Sequence, residues 1–193
     1  MCDPTWKPPE NKATELYSST EKKSEKVPTV LLQTAQVWAE GRRRALTRLL
    51  FDGGSQRSFV TKSLSRELQL EVVGEEDITI YPFGGTGNVM KDKRRRVRIW
   101  LRSQCDRKEH SIEALEIPEI CSDRLHVPEH ILKKVQADMD EMADVTVPSA
   151  HLTGSGIDIL IGADYYWTLM CGEVKKLQGA LVAVKTEFGW TLQ

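Results

Sequence analysis

The chain has few cysteines, no long apolar run and almost no net charge, and each lack removes a class of protein. Its four cysteines, Cys2, Cys105, Cys121 and Cys171, include no Cys-x-x-Cys pair, and free reduced thiols are expected. The loose array Cys105, Cys121, His126 and His130 lacks the tight first ligand pair of a zinc site, and Pro128 interrupts it. No metal and no cofactor is therefore expected. No apolar stretch approaches a membrane span, so a membrane is not an expected partner. The opening residues, Met1 to Lys7, lack the apolar core of a secretory leader. A net charge of −1 gives no global attraction to nucleic acid.

What remains is a composition that is 40% apolar and 28% charged over 193 residues, enough for one domain with a core plus tails. Residues 1–28 read as a disordered polar linker. Pro4, Pro8, Pro9 and Pro28 break them up, and the run from Ser18 to Lys26 cannot bury enough surface to offset its ordering entropy. From Thr29 to Gln193 the pattern is mostly β. Val30, Leu32 and Thr34 alternate with Leu31, Gln33 and Ala35. Glu40-Gly41 marks a turn, and the return strand from Ala45 ends at Asp52. Arg42, Arg43 and Arg44 fit a solvated hairpin edge. Thr61 can cap a short helix whose Leu64 and Leu68 share a face. Strands are expected near 70–73 and 77–81.

Further on, Val97, Ile99 and Leu101 alternate with Arg96, Arg98 and Arg102, giving a strand with one basic, wet face. Residues 105–153 read as a variable insertion holding a strand near 111–117, an amphipathic helix over 128–139 and a loose stretch from Asp144. A short buried strand, Ile157 to Ile161, stops at Gly162. Ala163 to Met170 then reads as a helix closed by Cys171-Gly172, and two strands finish the chain.

The stretch that stands out is Leu49-Leu50-Phe51-Asp52-Gly53-Gly54-Ser55-Gln56-Arg57-Ser58-Phe59-Val60. An apolar strand delivers one carboxylate into a Gly-Gly turn. A carboxylate at the end of a buried strand is costly unless it is compensated, and glycines leave it open to a ligand. Asp-Gly between apolar strands is equally the signal of a plain β-hairpin, so this stretch alone supports either reading.

A second motif separates them. About a hundred residues later comes Leu160-Ile161-Gly162 followed by a short helix, and Pro82-Phe83-Gly84-Gly85-Thr86-Gly87-Asn88 lies between, placed as a mobile hairpin tip. Apolar-apolar-Asp-small-Gly-Ser, a glycine-rich hairpin and apolar-apolar-Gly-helix, in that order, resemble the retropepsin-like aspartic proteases. In finer detail the chain resembles the peptidase of BEL/Pao long-terminal-repeat retrotransposons. That likeness is carried by residues 32–37, 50–60 and 157–167 and by Thr186-Glu187-Phe188-Gly189-Trp190-Thr191-Leu192.

The resemblance implies a closed β-barrel with a flap hairpin and two or three short helices. It implies an aspartic endopeptidase that processes its own Gag-Pol-type polyprotein, in the cytoplasm or within virus-like particles. Asp52 would be the catalytic acid, and Gly53, Gly54 and Ser55 its loop, with the amides of Gly54 and Ser55 near the carboxylates. Phe83, Gly84, Gly85 and Thr86 would form the flap over substrate, and Leu160, Ile161 and Gly162 would support the loop. Aspartic proteolysis needs two carboxylates, and this chain has one Asp-x-Gly loop, so an active form would be a homodimer. Asp158 and Asp164 are not followed by Gly. Asp164 reads instead as a helix-start residue that caps or meets the dipole.

Gly53 departs from the family's Ser or Thr at that position, whose hydroxyl helps lock the two loops together. Two further readings follow: a weakened or inactive protease-like dimerisation or peptide-binding module, and a basic nucleic-acid-binding β domain, which the near-zero net charge disfavours.

Overall fold

The computed structural model describes residues 31–80, 90–121, 135, 139, 141–144, 156–177 and 181–193. The expected linker and the Phe83–Thr86 segment lie outside those residues. Of the expected 128–139 helix only Val135 and Met139 are described. Val135 is helical, and both are buried.

Strands β1 (Thr34–Glu40) and β2 (Arg44–Phe51) pair antiparallel from Thr34↔Leu50 to Glu40↔Arg44. Ala35, Val37 and Ala39 face the core from one strand, and Ala45, Leu49 and Phe51 from the other. Arg42, Arg43 and Arg44 at the turn are exposed, as a solvated edge should be, and Arg44 lies over the Trp38 ring at 5.4 Å. Beyond the Asp52 loop, β3 (Phe59–Thr61) leads into α1 (Lys62–Leu68). The Thr61 side chain accepts the Leu64 N–H, and Leu64 and Leu68 are buried together.

The stretches near 70–73 and 77–81 form one continuous strand, β4 (Glu71–Ile80), rather than two. A register shift between Val72 and Gly74 breaks its alternation, so the pattern reads as two pieces. It pairs with β5 (Met90–Arg102), which pairs in turn with β6 (Glu109–Ile117) and, at its far end, with β1. Val97, Ile99 and Leu101 are wholly buried. The basic face of β5 is less bare than its sequence reads, because acids on the neighbouring strands meet it: Arg96 pairs with Glu113 at 3.1 Å and Arg98 with Glu71 at 3.2 Å. On the face shared with Val97, Lys93 pairs with Glu75 at 2.5 Å and Arg95 with the buried Glu116 at 2.7 Å.

Strand β7 (Ile159–Ile161) completes the circuit. It runs parallel to β2, with Leu50 opposite Leu160, and antiparallel to β3. The ring β1-β2-β7-β3-β6-β5 closes back on β1, and β4 hangs outside it on β5. A mostly β protein with a closed six-stranded barrel is thus the observed class, and it is retropepsin-like. The barrel is filled by aliphatic side chains from all six strands together with Leu64, Leu68 and Leu169. Each contributes about 1.5–3 kcal/mol by leaving water.

Helix α2 (Ala163–Leu169) is followed by β8 (Met170–Lys176), β9 (Val182–Thr186) and β10 (Gly189–Leu192), which form a second sheet in the order β10-β9-β8. Here the Cys171-Gly172 helix stop is corrected. Met170 is already extended, with φ −88° and ψ 131°, and the chain passes straight into β8. This strand is almost wholly exposed, so no apolar alternation announces it.

Leu31, Val135, Met139, Ala183, Trp190 and Leu192 form a second core beneath that sheet. Residues 141–144 join it to the barrel. Ala143 accepts from the Gln36 N–H at 2.7 Å and donates to the Trp190 carbonyl at 2.8 Å. Asp144, expected to begin a loose stretch, is instead buried. It meets the buried Arg48 at 2.7 Å and accepts the Thr34 hydroxyl at 2.5 Å.

Candidate active site

Asp52 ends β2 at the point where β7 runs beside it. The Asp52 N–H donates to the Ile161 carbonyl at 2.9 Å, and the Phe51 N–H donates to Gln33 at 2.9 Å. The strand therefore delivers the acid at a fixed height. Phe51 beneath it packs edge-on against Tyr166, with ring centres 6.1 Å apart. The Asp52 side chain is half-buried. Its Oδ1 accepts the Gly54 N–H at 3.0 Å, while the Ser55 N–H donates to the Asp52 main-chain carbonyl at 3.1 Å. So of the two amides expected near the carboxylate, Gly54 supplies one. That of Ser55 is consumed in closing the turn.

Gly53 and Gly54 do not adopt the left-handed backbone that would demand glycine. At Gly54 the missing Cβ matters for space, because one would stand 3.2 Å from Asp52 Oδ1. At Gly53 a Cβ would rest in ordinary contact with the Tyr166 ring, at 3.7 Å.

Gly162 is a different case. A Cβ there would fall inside the Arg57 carbonyl and 2.9 Å from the Ser55 oxygen. The Asp52 loop crosses the end of β7 at this residue, which only glycine allows. The crossing is stitched on both sides. Ala163 N–H donates to the Ser55 carbonyl at 2.7 Å, and Gly162 N–H donates to Ser58 Oγ at 3.0 Å. Ile161 and Gly162 thus stand directly against the loop, while Leu160 lies one step back, paired with Leu50 and Phe59.

Two residues in this arrangement were not anticipated. Ser58 donates its hydroxyl to Asp164 Oδ1 at 2.6 Å and its N–H to Asp164 Oδ2 at 3.0 Å. Asp164 was expected to cap its own helix or to meet its dipole, and its place in the first turn agrees with the second. The N-cap of α2 is Gly162, which has no side chain to offer, and Asp164, in the first turn, reaches back to the loop instead. The one available signal was a serine six residues after Asp52 and an acid two residues after Gly162. Neither spacing shows that the two segments cross.

Asp158 holds the opposite flank. It accepts the hydroxyls of Thr61 at 2.9 Å and Thr47 at 3.1 Å, and burial pushes its carboxyl above the ordinary range despite those bonds. Phe83, Gly84, Gly85 and Thr86 lie outside the described residues. The strands that lead to them pair as far as Ile80↔Met90. Cys105 and Cys171 are free cysteines, and among the described residues no three His, Cys, Asp or Glu side chains converge as metal ligands. No helix among the described residues is long and apolar enough to cross a membrane.

A closed barrel whose one Asp-Gly-Gly loop is threaded across an apolar-apolar-Gly strand defines a retropepsin-like domain. The sequence model of the family described as "Putative peptidase (DUF1758)" matches residues 31–193, and the chain belongs to that family. No curated protein matches the chain.

Proposed function

We propose that the chain is an aspartic endopeptidase that works as a homodimer, each subunit contributing Asp52. The observation that carries this reading is the placement of Asp52. It is fixed through its main chain to Ile161, oriented by one amide, and half open at the end of its strand. Membership of a peptidase family supports it. Asp158 and Asp164 are engaged by Thr47 and Thr61, and by Ser58, so neither serves as the second acid.

Two Asp52 carboxylates meeting on a two-fold axis would share one proton, because both cannot ionise easily at such short range. The charged one takes a proton from a water, whose oxygen adds to the scissile carbonyl carbon. The protonated one gives its proton to the carbonyl oxygen. Collapse of the tetrahedral adduct expels the amine, which takes up a proton. The pair titrates as a unit. Substrate would lie extended across both subunits, pairing by its main chain, with residues 83–86 in the flap's role. The substrate class is polypeptide. A retrotransposon polyprotein of BEL/Pao type is the specific form the sequence resemblance supports.

A second reading, a protease-like dimerisation or peptide-binding module with weakened or lost activity, draws on Gly53. Gly53 supplies no hydroxyl next to Asp52, and the Tyr166 ring faces that position. The deciding experiment is incubation of the protein with a peptide library at mildly acidic pH, with and without a pepstatin-like inhibitor. Inhibitor-sensitive cleavage that Asp52→Asn abolishes is the expected result. A wild-type protein that dimerises and binds peptide without cutting it supports the module. Cleavage that survives Asp52→Asn overturns the proposal.

A further inference from the structure

Arg57 occupies an unusual place between the loop and the barrel's outer arm. Its guanidinium meets Glu76 of β4 through one terminal nitrogen and Asp164 of α2, at 3.7 Å, through the other. Glu76 also faces Arg96 of β5 at 3.9 Å, and Arg96 reaches Glu113 of β6 at 3.1 Å. Five side chains of alternating sign, Glu113, Arg96, Glu76, Arg57 and Asp164, therefore run from the barrel wall to the helix behind the Asp52 loop. An exposed ion pair contributes little, because water and salt screen it. Here the side chains of Arg57, Glu76 and Asp164 are only 35%, 30% and 15% exposed, and each central member has two partners. The backbone of Arg57 is pinned as well, since its carbonyl lies against Gly162.

The main chain of the loop is held at Ser55 by the Ala163 N–H and at Ser58 by Asp164, and between those points Arg57 is the residue whose side chain is anchored. Gln56 is exposed, and the Ser55 hydroxyl is spent on the Arg57 carbonyl at 3.0 Å. Asp164 is therefore asked to do two things, to accept from Ser58 and to hold Arg57. Glu76 supplies the opposing anchor, from a strand that is not part of the closed ring. From this geometry we propose that Arg57 is a positioning residue. Its guanidinium, clamped between Glu76 and Asp164, fixes residues 53–58 and so the aim of the Asp52 carboxylate. Neither the hydrophobic core nor the β2–β7 pairing reaches residues 53–58, because the core stops at Phe51 and the pairing at the Asp52 N–H.

The inference rests on the proposed peptidase function for its catalytic consequence, but not for its structural one. The test therefore has two arms, run on Arg57→Met, Arg57→Lys, Glu76→Gln and the double variant Arg57→Met/Glu76→Gln. In the first arm, amide hydrogen exchange is expected to quicken at least fivefold across residues 53–58 in Arg57→Met and Glu76→Gln. Exchange in β1 and β2 should stay unchanged, and the double variant should be no faster than Arg57→Met. Lysine, a single point of charge that cannot hold two carboxylates with separate nitrogens, should restore less than half of the protection. In the second arm, peptide cleavage by Arg57→Met is expected to fall about tenfold in kcat, with KM changed less than twofold. Unchanged exchange at 53–58 in both single variants overturns the clamp, as does full rescue by lysine. Quickened exchange in the variants together with a wild-type protein that cuts no peptide leaves the clamp standing and removes the peptidase reading.

Discussion

The Asp52 N–H donates to the Ile161 carbonyl at 2.9 Å, and these two residues stand 109 positions apart in the sequence. That bond continues the parallel pairing of β2 with β7 by one more step and then stops, because Gly162 turns under the loop. The carboxylate is thereby set at the last rung of a ladder, where the main chain is still bonded and the side chain, held by the Gly54 N–H, stands half open.

Replacing Asp52 with Asn should remove cleavage while leaving the fold intact, since the Gly54 N–H still finds an oxygen acceptor. A loss of at least about 10³-fold in kcat/KM is expected for a residue that handles the proton directly. Circular dichroism and melting temperature should stay at wild-type values.

Gly53→Ser should fit without strain. Its Cβ meets the Tyr166 ring at 3.7 Å, and the residue does not use the left-handed backbone. A hydroxyl that bonds across the dimer axis is worth about 1 kcal/mol, roughly fivefold in dimer affinity. Sedimentation equilibrium alongside turnover checks this. A variant with neither a tighter dimer nor faster turnover would argue against the hydroxyl's role in this chain.

Gly162→Ala should be severe. The new methyl has no place except inside the Arg57 carbonyl, so the loop or β7 must move. A loss on the order of 3 kcal/mol or more is expected, at the upper end for overpacked sites. Denaturant unfolding should show it as a lowered midpoint.

Asp164→Asn should weaken the loop more than it weakens the helix. The carboxylate accepts two bonds from Ser58 and holds Arg57, and it caps nothing in α2. Bonds to a charged acceptor contribute roughly 1.5–3 kcal/mol each, and the amide keeps only part of that. Ser58→Ala should cost less in that background than alone, because the two changes share the Ser58–Asp164 bond, but it still strips the Gly162 N–H of its acceptor. A double-mutant cycle on stability measures the coupling.

Asp158 gives a pH dependence with a definite sign. Burial raises its folded pKa above the ordinary 3.8, so the folded state holds the proton more tightly than the unfolded one. The stability it contributes is complete below 3.8 and is lost as pH rises through the raised folded value. Asp158→Asn keeps the contacts to Thr47 and Thr61 without the buried charge. The variant should therefore gain on wild type at neutral pH and lose that advantage as the solution is acidified. Melting temperatures of both proteins across pH 4 to 8 test this, and parallel curves would count against it.

Much of the barrel could be read from alternation. The β1–β2 hairpin, the buried face of β5, the Thr61 cap and the Leu160 to Gly162 support all follow from residue order, since each is built from neighbours a few positions apart. What escaped was long-range or solvent-facing. Strand β8 has no apolar face, and β4 hides behind its register shift at Gly74. Arg48 and Asp144, 96 residues apart, are polar side chains whose burial depends wholly on the finished fold. The same holds at the site. The Asp52 loop and its supporting strand were legible as motifs, while the hold of Asp164 on Ser58 exists only once the two motifs cross.

Strand β4 pairs on one side only, and its other edge has no partner among the described residues. Ten residues of unpaired main chain invite edge-to-edge aggregation. Asp77 along it is exposed, and Glu71 and Glu75 sit in ion pairs with Arg98 and Lys93, so the edge carries charged side chains that discourage another strand from pairing there. Acidification protonates those acids but leaves 27 Lys and Arg charged, so the chain goes from a net charge of −1 to strongly positive and the edge stays guarded by charge as pH falls.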